Sequence, residues 1–240
     1  MSLFADVVRW FLDPAHYQGS TGVPTRVVEH LLMSGAALAA AALIALPVAV
    51  VLGHYRKGGA VAINVSNIGR AIPSFAILVL AVQLVGIGVR PAFLALLALG
   101  IPPILTNTYI GLAEVSPELR EAARGLGMTG RQVLWRVELP LAAPLIMAGI
   151  RTSAVQVVAT ATLAAEVAWG GLGRFIIDGF SQQDNVQIFA GALLVAAVAT
   201  LTERGLGMVQ TAVTPAGMRS SKKGAGLQGS LGSRSGVKAA

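Results

Sequence analysis

The 240-residue sequence predicts an all-α polytopic membrane protein, and three observations carry that prediction. It is 55% hydrophobic and only 12% charged, with a mean hydropathy of +0.71. A soluble domain carries about 25% charged residues, so this chain lacks the polar groups to cover a surface in water. Its apolar stretches are also long and continuous, not short and alternating. Backbone polar groups in lipid must be paired within the protein, which leaves helices or a closed barrel, and this pattern selects helices. Finally, basic residues are unevenly divided among the segments between those stretches, the signature of an oriented membrane chain.

In chain order, "SLFADVVRWFL" places Leu3, Phe4, Val7, Val8 and Phe11 at helical spacing around Asp6 and Arg9. It is too short to span and has neither the basic start nor the cleavage site of a signal peptide, so it reads as an interfacial amphipathic helix. "DPAHYQGSTGVP" has the composition of a loop. Residues 1–27 read as an extracytoplasmic or interfacial segment. Five spans are expected: Leu31–Gly53, about Ile72–Val89, about Ala92–Leu112, one within Leu141–Val167, and about Ile188–Leu206. Each approaches the roughly 20 residues that a bilayer core of about 30 Å requires. Pro47 and the Pro102-Pro103 pair read as tolerable kinks, given neighbouring helices to cover the freed carbonyls. Abundant Ala and Gly allow close helix packing in lipid. Residues 216–240, rich in Gly, Ser and Lys/Arg, read as a disordered basic tail.

Charge sets the orientation. Arg56, Lys57 and Arg70 follow span one; Arg120, Arg124, Arg131 and Arg136 follow span three; Arg204, Arg219, Lys222, Lys223, Arg234 and Lys238 surround or follow the end of span five. The other side has Arg9, Arg26, Arg90 and Arg174. The bias puts the N-terminus outside and the 113–140 loop and C-terminus inside, which requires an odd number of spans. A net charge of +7 would suggest nucleic acid on a soluble protein; here membrane sidedness accounts for it, and no nucleic-acid partner is expected. With no Cys, and with His16, His30 and His54 far apart at span ends or in loops, neither a metal site nor a cofactor is expected. Arg151, inside span four, is read as snorkelling to the inner headgroups, the alternative being a buried ion pair or a pathway residue. Glu166 reads as marking the outer interface.

"GLGMTG" at 125–130 matches the spacing of a dinucleotide fingerprint, but its surroundings do not. Such a fingerprint follows a strand and opens a helix. Here the preceding "EVSPELREAAR" is helical: Ser116 can cap it, Pro117 suits its first position, and Glu118 and Glu121 suit its positive end. Thr129 and Gln132 form a T-x-x-Q capping box for a second short helix, which Pro140 is expected to limit. A P-loop would need Lys and Ser/Thr where Arg131 and Gln132 stand. The reading is helix, glycine turn, helix, with Gly125 and Gly127 at positive φ and an apolar side of Val133, Leu134 and Val137 suited to docking in a partner's groove, the alternative being an ordinary cytoplasmic loop resting on the headgroups.

The stretch "EAARGLGMTGRQVLWRVELP" resembles the cytoplasmic loop of binding-protein-dependent ATP-binding-cassette (ABC) importer permeases of the MetI-like, type I kind. That family's E-A-A, three residues, G, nine residues, I, one residue, L-P appears as Glu121-Ala122-Ala123, Gly127, Val137 and Leu139-Pro140, with Val in place of Ile. "NIGRAIPSFAILVL", "GIPPILTNTYIGLAEVSPELREAARGLGMT" and "GIRTSAVQVVATATLAAEVAWGGLGRFIIDGF" are similar to permeases of osmoprotectant importers, which carry quaternary ammonium solutes such as glycine betaine, carnitine, choline or proline betaine; amino-acid permeases of the methionine type are the alternative.

The resemblance implies a permease with no bond chemistry of its own, built on a five-helix transmembrane unit at about 28–215 in a prokaryotic cell membrane. It is used with a second copy or a sister permease, two ATPase subunits and an extracytoplasmic solute-binding protein. The ATPase-coupling residues would be Glu121, Ala122, Ala123, Gly127, Thr129, Arg131, Gln132, Leu134, Leu139 and Pro140. Candidate lining or gate residues of the solute path are Pro73, Ser74 and Phe75, then Pro103, Thr106, Asn107 and Thr108, with Gln156 and Thr160, the alternative for the polar ones being glue between helices. Thr152, Ser153 and Thr162 add further polar groups to span four. Gly171, Gly173 and Phe175 are candidates for contact with the binding protein.

Overall fold

The computed structural model describes residues 3–167 and 169–215, and among these every regular element is helical. The expected basic tail at 216–240 lies outside the described residues. Ten α-helices succeed one another: α1 (Leu3–Leu12), α2 (Val23–Tyr55), α3 (Gly59–Ala71), α4 (Ser74–Val85), α5 (Val89–Ala113), α6 (Pro117–Gly125), α7 (Gly130–Val133), α8 (Leu139–Thr160), α9 (Gly173–Gln182) and α10 (Asn185–Val213). A 3₁₀ turn at Pro14–Tyr17, a π-helical segment at Leu134–Glu138 and a 3₁₀ stretch at Ala161–Val167 complete the path.

Among the described residues, four helical stretches are long and apolar enough to cross a bilayer: Val23–Tyr55, Val89–Ala113, Gly130–Val167 and Asn185–Val213. A fifth crossing exists if the pair α3 and α4, bent by 88°, counts as one broken span. The sequence suggests one continuous span at 72–89, whereas the chain breaks at its start. Ile72 precedes a proline, which disfavours helical geometry, and it is extended at φ −76°, ψ 124°. Pro73 then caps α4.

The helix α5 is the centre of the bundle, packed between α2 and α8 with half of its apolar membrane-crossing stretch buried. Small residues make this possible. Ala37, Ala41, Ala45 and Ala49 of α2 recur every four residues, all fully buried, and Gly53 extends the row. They form one flat ridge that lets α5 approach. At Gly53 an added Cβ would lie 2.6 Å from the Cβ of Leu112. On the other flank the Ser153 hydroxyl donates to the Gly100 carbonyl at 2.8 Å, tying α8 to α5. Both α2 and α5 continue through their internal prolines, as expected.

Amphipathic α1 buries Val7 and Trp10 and packs on α10. Trp10 stacks on His16 and meets Phe175 of α9 edge-on, with centroids 5.5 Å apart.

Two polar positions depart from expectation. His30 is no interfacial side chain: it is buried in α2, with Nε2 2.9 Å from the Val158 carbonyl oxygen of α8. Arg151, read as snorkelling, is held in an ion pair, its Nε 3.2 Å from Glu203 Oε1 of α10.

Candidate functional site: the loop between α5 and α8

Ser116 starts α6 as a side-chain cap, its Oγ accepting from the Leu119 N–H at 3.2 Å, with Pro117 at the first helical position. The helix ends in a Schellman arrangement: the Met128 N–H reaches the Ala123 carbonyl and the Gly127 N–H that of Arg124. Gly127 has φ 81°. Gly125, expected to share the turn, is instead the last residue of α6, and only Gly127 has positive φ. A single left-handed residue suffices for this closure.

Thr129 and Gln132 then form the expected reciprocal cap. Gln132 Oε1 accepts from the Thr129 N–H at 2.8 Å, and Thr129 Oγ1 accepts from the Gln132 N–H at 3.4 Å. Pro140 does not end the helix that this cap starts. The chain stays helical from Gly130 to Thr160, because the turn before the proline widens into a π segment in which the Leu139 N–H donates to the Leu134 carbonyl. Widening makes room where a proline ring would crowd the carbonyl four residues back.

The motif residues divide by exposure. Glu121, Ala122, Gly127, Thr129, Arg131, Gln132 and Pro140 are exposed; Leu134 and Leu139 are half-buried; Ala123 is buried. The apolar side read from the sequence turns inward, with Val133 fully buried and Val137 half-buried. The outward side carries Leu126 at 83% exposure and Trp135 at 62%, among the exposed Arg124, Arg131 and Arg136. Sequence reasoning missed both apolar residues; their signal was a large apolar side chain on the polar side of a capped helix.

Beneath this surface lies a cluster that sequence reasoning did not find. Glu138 is fully buried, with Oε2 2.6 Å from His54 Nδ1 and Oε1 3.2 Å from Arg120 Nε, the second contact too oblique for a hydrogen bond. Arg120 Nη1 donates to the His54 carbonyl at 3.2 Å and Nη2 to the Leu112 carbonyl at 2.6 Å, covering the ends of α2 and α5. Arg56 donates to the carbonyls of Ala113 and Val115. Burial pulls the Arg120 guanidinium below its ordinary value; Glu138 opposes that shift, and Arg56 and Arg124 add to it. A guanidinium nevertheless stays charged.

Of the expected path residues, Ser74 and Thr160 meet in one narrow crevice between α4, α5 and the end of α8. Pro73 and Phe75 are exposed beside the break, and Gln156 is half-buried. The group on α5 lies elsewhere, since Thr106 is about 15 Å along the helix from Leu96 at that crevice. There the Asn107 amide donates to the Pro103 carbonyl at 2.8 Å, and the buried hydroxyl oxygens of Thr106 and Thr108 have no hydrogen-bond partner among the described residues.

At the opposite end of the bundle, Gly171 and Gly173 are buried. Gly171, at φ 83°, donates its N–H to Glu29 Oε2 at 2.8 Å, and Glu29 also pairs with Arg26 at 2.9 Å. Phe175 packs against Trp10. These three residues shape the turn that fastens the segment after α8 to α2 and α1, with Phe175 half-buried beside the two buried glycines.

A helical bundle with a sharply bent helix pair and a doubly capped helix-turn-helix loop carrying the E-A-A motif defines the membrane-spanning component of a transport system. The chain belongs to the family of binding-protein-dependent transport system inner membrane components, whose model matches residues 29–213. It is 40% identical over 198 residues to the choline transport system permease protein OpuBB of Bacillus subtilis (strain 168), covering 82% of this chain and 91% of that one. It is 39% identical to the glycine betaine/carnitine/choline transport system permease protein OpuCB of the same organism, over 81% of this chain and 90% of that one. The osmoprotectant import permease protein OsmW of Salmonella typhimurium is 34% identical over 89% of this chain and its own full length. Among solved structures, the MetNI methionine ABC transporter in an inward-facing conformation matches with a TM-score of 0.66 and 26% identity, over 78% of this chain and 94% of that one.

Proposed function

We propose that this chain is the permease subunit of an ABC importer for osmoprotectants of the quaternary ammonium class, such as choline, glycine betaine or carnitine. The observation that carries the reading is the set of relatives named for those solutes, which align over four-fifths or more of the chain. They favour it over the methionine-type alternative, whose likeness is to the fold at lower identity.

The chain works in a cell membrane with the loop and C-terminus in the cytoplasm and the N-terminal helix outside, the sidedness that the basic residues support. Two separate ATPase subunits hydrolyse ATP. They dock on the loops of two permease copies, or of this chain and a sister permease, and a solute-binding protein delivers from outside. ATP-driven closure of the ATPase pair pushes the loop helices together and shifts the bundle between inward- and outward-facing states. Exposed Leu126 and Trp135 among arginines give the loop an apolar anchor with a basic rim, the composition of a docking patch. The path runs between the permease copies, with Ser74 and Thr160 and the Asn107 group as candidate lining. With aromatic residues at only 5%, the chain has few faces for a quaternary ammonium ion, so most selectivity is assigned to the binding protein.

The test is uptake into proteoliposomes by the complex of this chain with its ATPase and binding protein. Labelled choline, glycine betaine, carnitine and methionine are compared. ATP-dependent accumulation of at least one quaternary ammonium solute and none of methionine is expected. Uptake that persists without the ATPase subunit would overturn the importer reading, and uptake of methionine alone would overturn the solute class.

A further inference from the structure

We propose that Glu138 is the positioning residue that fastens the coupling loop to the spans, and that its link to His54 stays closed throughout the transport cycle. This rests on the reading of the loop as the ATPase-docking element. In the family's pattern, position 138 is the unspecified residue between Val137 and Leu139-Pro140, so the motif does not account for a carboxylate there.

The geometry does. On one side chain without solvent exposure converge the last turn of α2 through His54, the helix α6 through Arg120, and the π segment itself. Arg120 carries the connection to the end of α5 through the Leu112 carbonyl. A buried carboxylate is tolerable because it is paired, and removing one partner leaves an uncompensated polar group in a low-dielectric site. A loop movement that parted Glu138 from His54 would meet that penalty at each turnover. Moving the linked elements together avoids it.

The backbone points the same way. No joint separates the loop helix from the fourth span, because helical hydrogen bonding runs from Gly130 through the π segment into α8. A push on α7 is therefore delivered directly to α8, and through Glu138 and Arg120 to the inner ends of α2 and α5. The loop and three spans form one lever, with the carboxylate as its rivet.

The chain has no Cys, so a pair can be introduced on a clean background. Glu138→Gln keeps the shape of the side chain and the Arg120 bonds to carbonyls but removes the charge. In the reconstituted complex, choline and glycine betaine uptake and ATP hydrolysis are measured together. Glu138→Gln is expected to retain the ATPase subunit on co-purification while uptake per ATP falls about tenfold or more, the size of a strong coupling term. The double variant His54→Cys/Glu138→Cys should show the same loss when reduced and recover when the two sulfurs are joined by a disulfide or a short bismaleimide linker.

Normal coupling in Glu138→Gln overturns the role of the residue. A cross-linked pair that fails to recover uptake overturns the closed link. ATPase co-purification separates these outcomes from failure of the docking reading, because that reading predicts its loss only when exposed loop residues are changed.

Discussion

A methyl group at position 173 would overlap the Thr162 carbonyl oxygen, and Thr162 lies in the 3₁₀ stretch that ends the fourth span. Backbone cannot step aside as a flexible side chain can, so Gly173→Ala is expected to cost about 1–3 kcal/mol, the range for overpacking a tight contact. Gly125 offers the opposite case: it is helical, its added Cβ meets nothing within 4 Å, and Gly125→Ala should be neutral or stabilising by up to about 1 kcal/mol. Thermal unfolding of the purified chain in detergent distinguishes the two, and equal midpoints would refute the contact at 173. Legibility at this scale followed locality. The caps at Ser116 and Thr129 were readable because donor and acceptor lie within three residues of each other. The partners of His30, His54 and Arg151 lie 128, 84 and 52 residues away, and nothing in the pattern around these side chains points to them.

Elements were legible where hydrophobic length alone decides them, and their joints were not. The spans at α2, α5 and α10 run longer than expected, since interfacial turns at each end remain helical although their residues are mixed. Pro73 and Pro140 show why prolines mislead. One stands at a break of 88° and the other inside an unbroken helix whose turn before the ring is widened, while Pro47, Pro102 and Pro103 sit in ordinary α-helix. For the loop, the helix-turn-helix was readable but its outward face was not, because burial of Val133 depends on how α7 sits on the bundle. The docking reading makes a demand at this scale. Glu121 is exposed on α6, and Gly127 holds a φ of 81° that a bulky side chain strains by about 1–2 kcal/mol. Glu121→Lys and Gly127→Leu should each reduce ATPase co-purification and uptake severalfold while membrane insertion is unchanged. If both variants assembled and transported normally, the coupling assignment would fall.

At the scale of the whole molecule, the Arg151–Glu203 pair constrains the surroundings of the bundle. Both residues belong to spanning helices, and their side chains keep 34% and 45% exposure in the single chain. Charges at that depth are costly against lipid, and such residues face protein or a water-filled cavity. The surface between α8 and α10 is therefore covered or wet in the working assembly. Pairing is what makes the two charges tolerable, so losing one partner should be worse than losing both. An unpaired charge at the centre of a span costs about 2.5–3.5 kcal/mol on insertion scales, and Glu203, within one turn of the inner end of span five, is expected to stand well below that bound. Arg151→Gln and Glu203→Gln are expected to lower the unfolding midpoint of the purified complex individually. The double variant, which leaves two neutral amides able to bond each other, should recover most of the loss. Additive losses in the double variant would mean that each charge has its own partner elsewhere in the assembly, and the pair would then be a feature of the isolated chain alone.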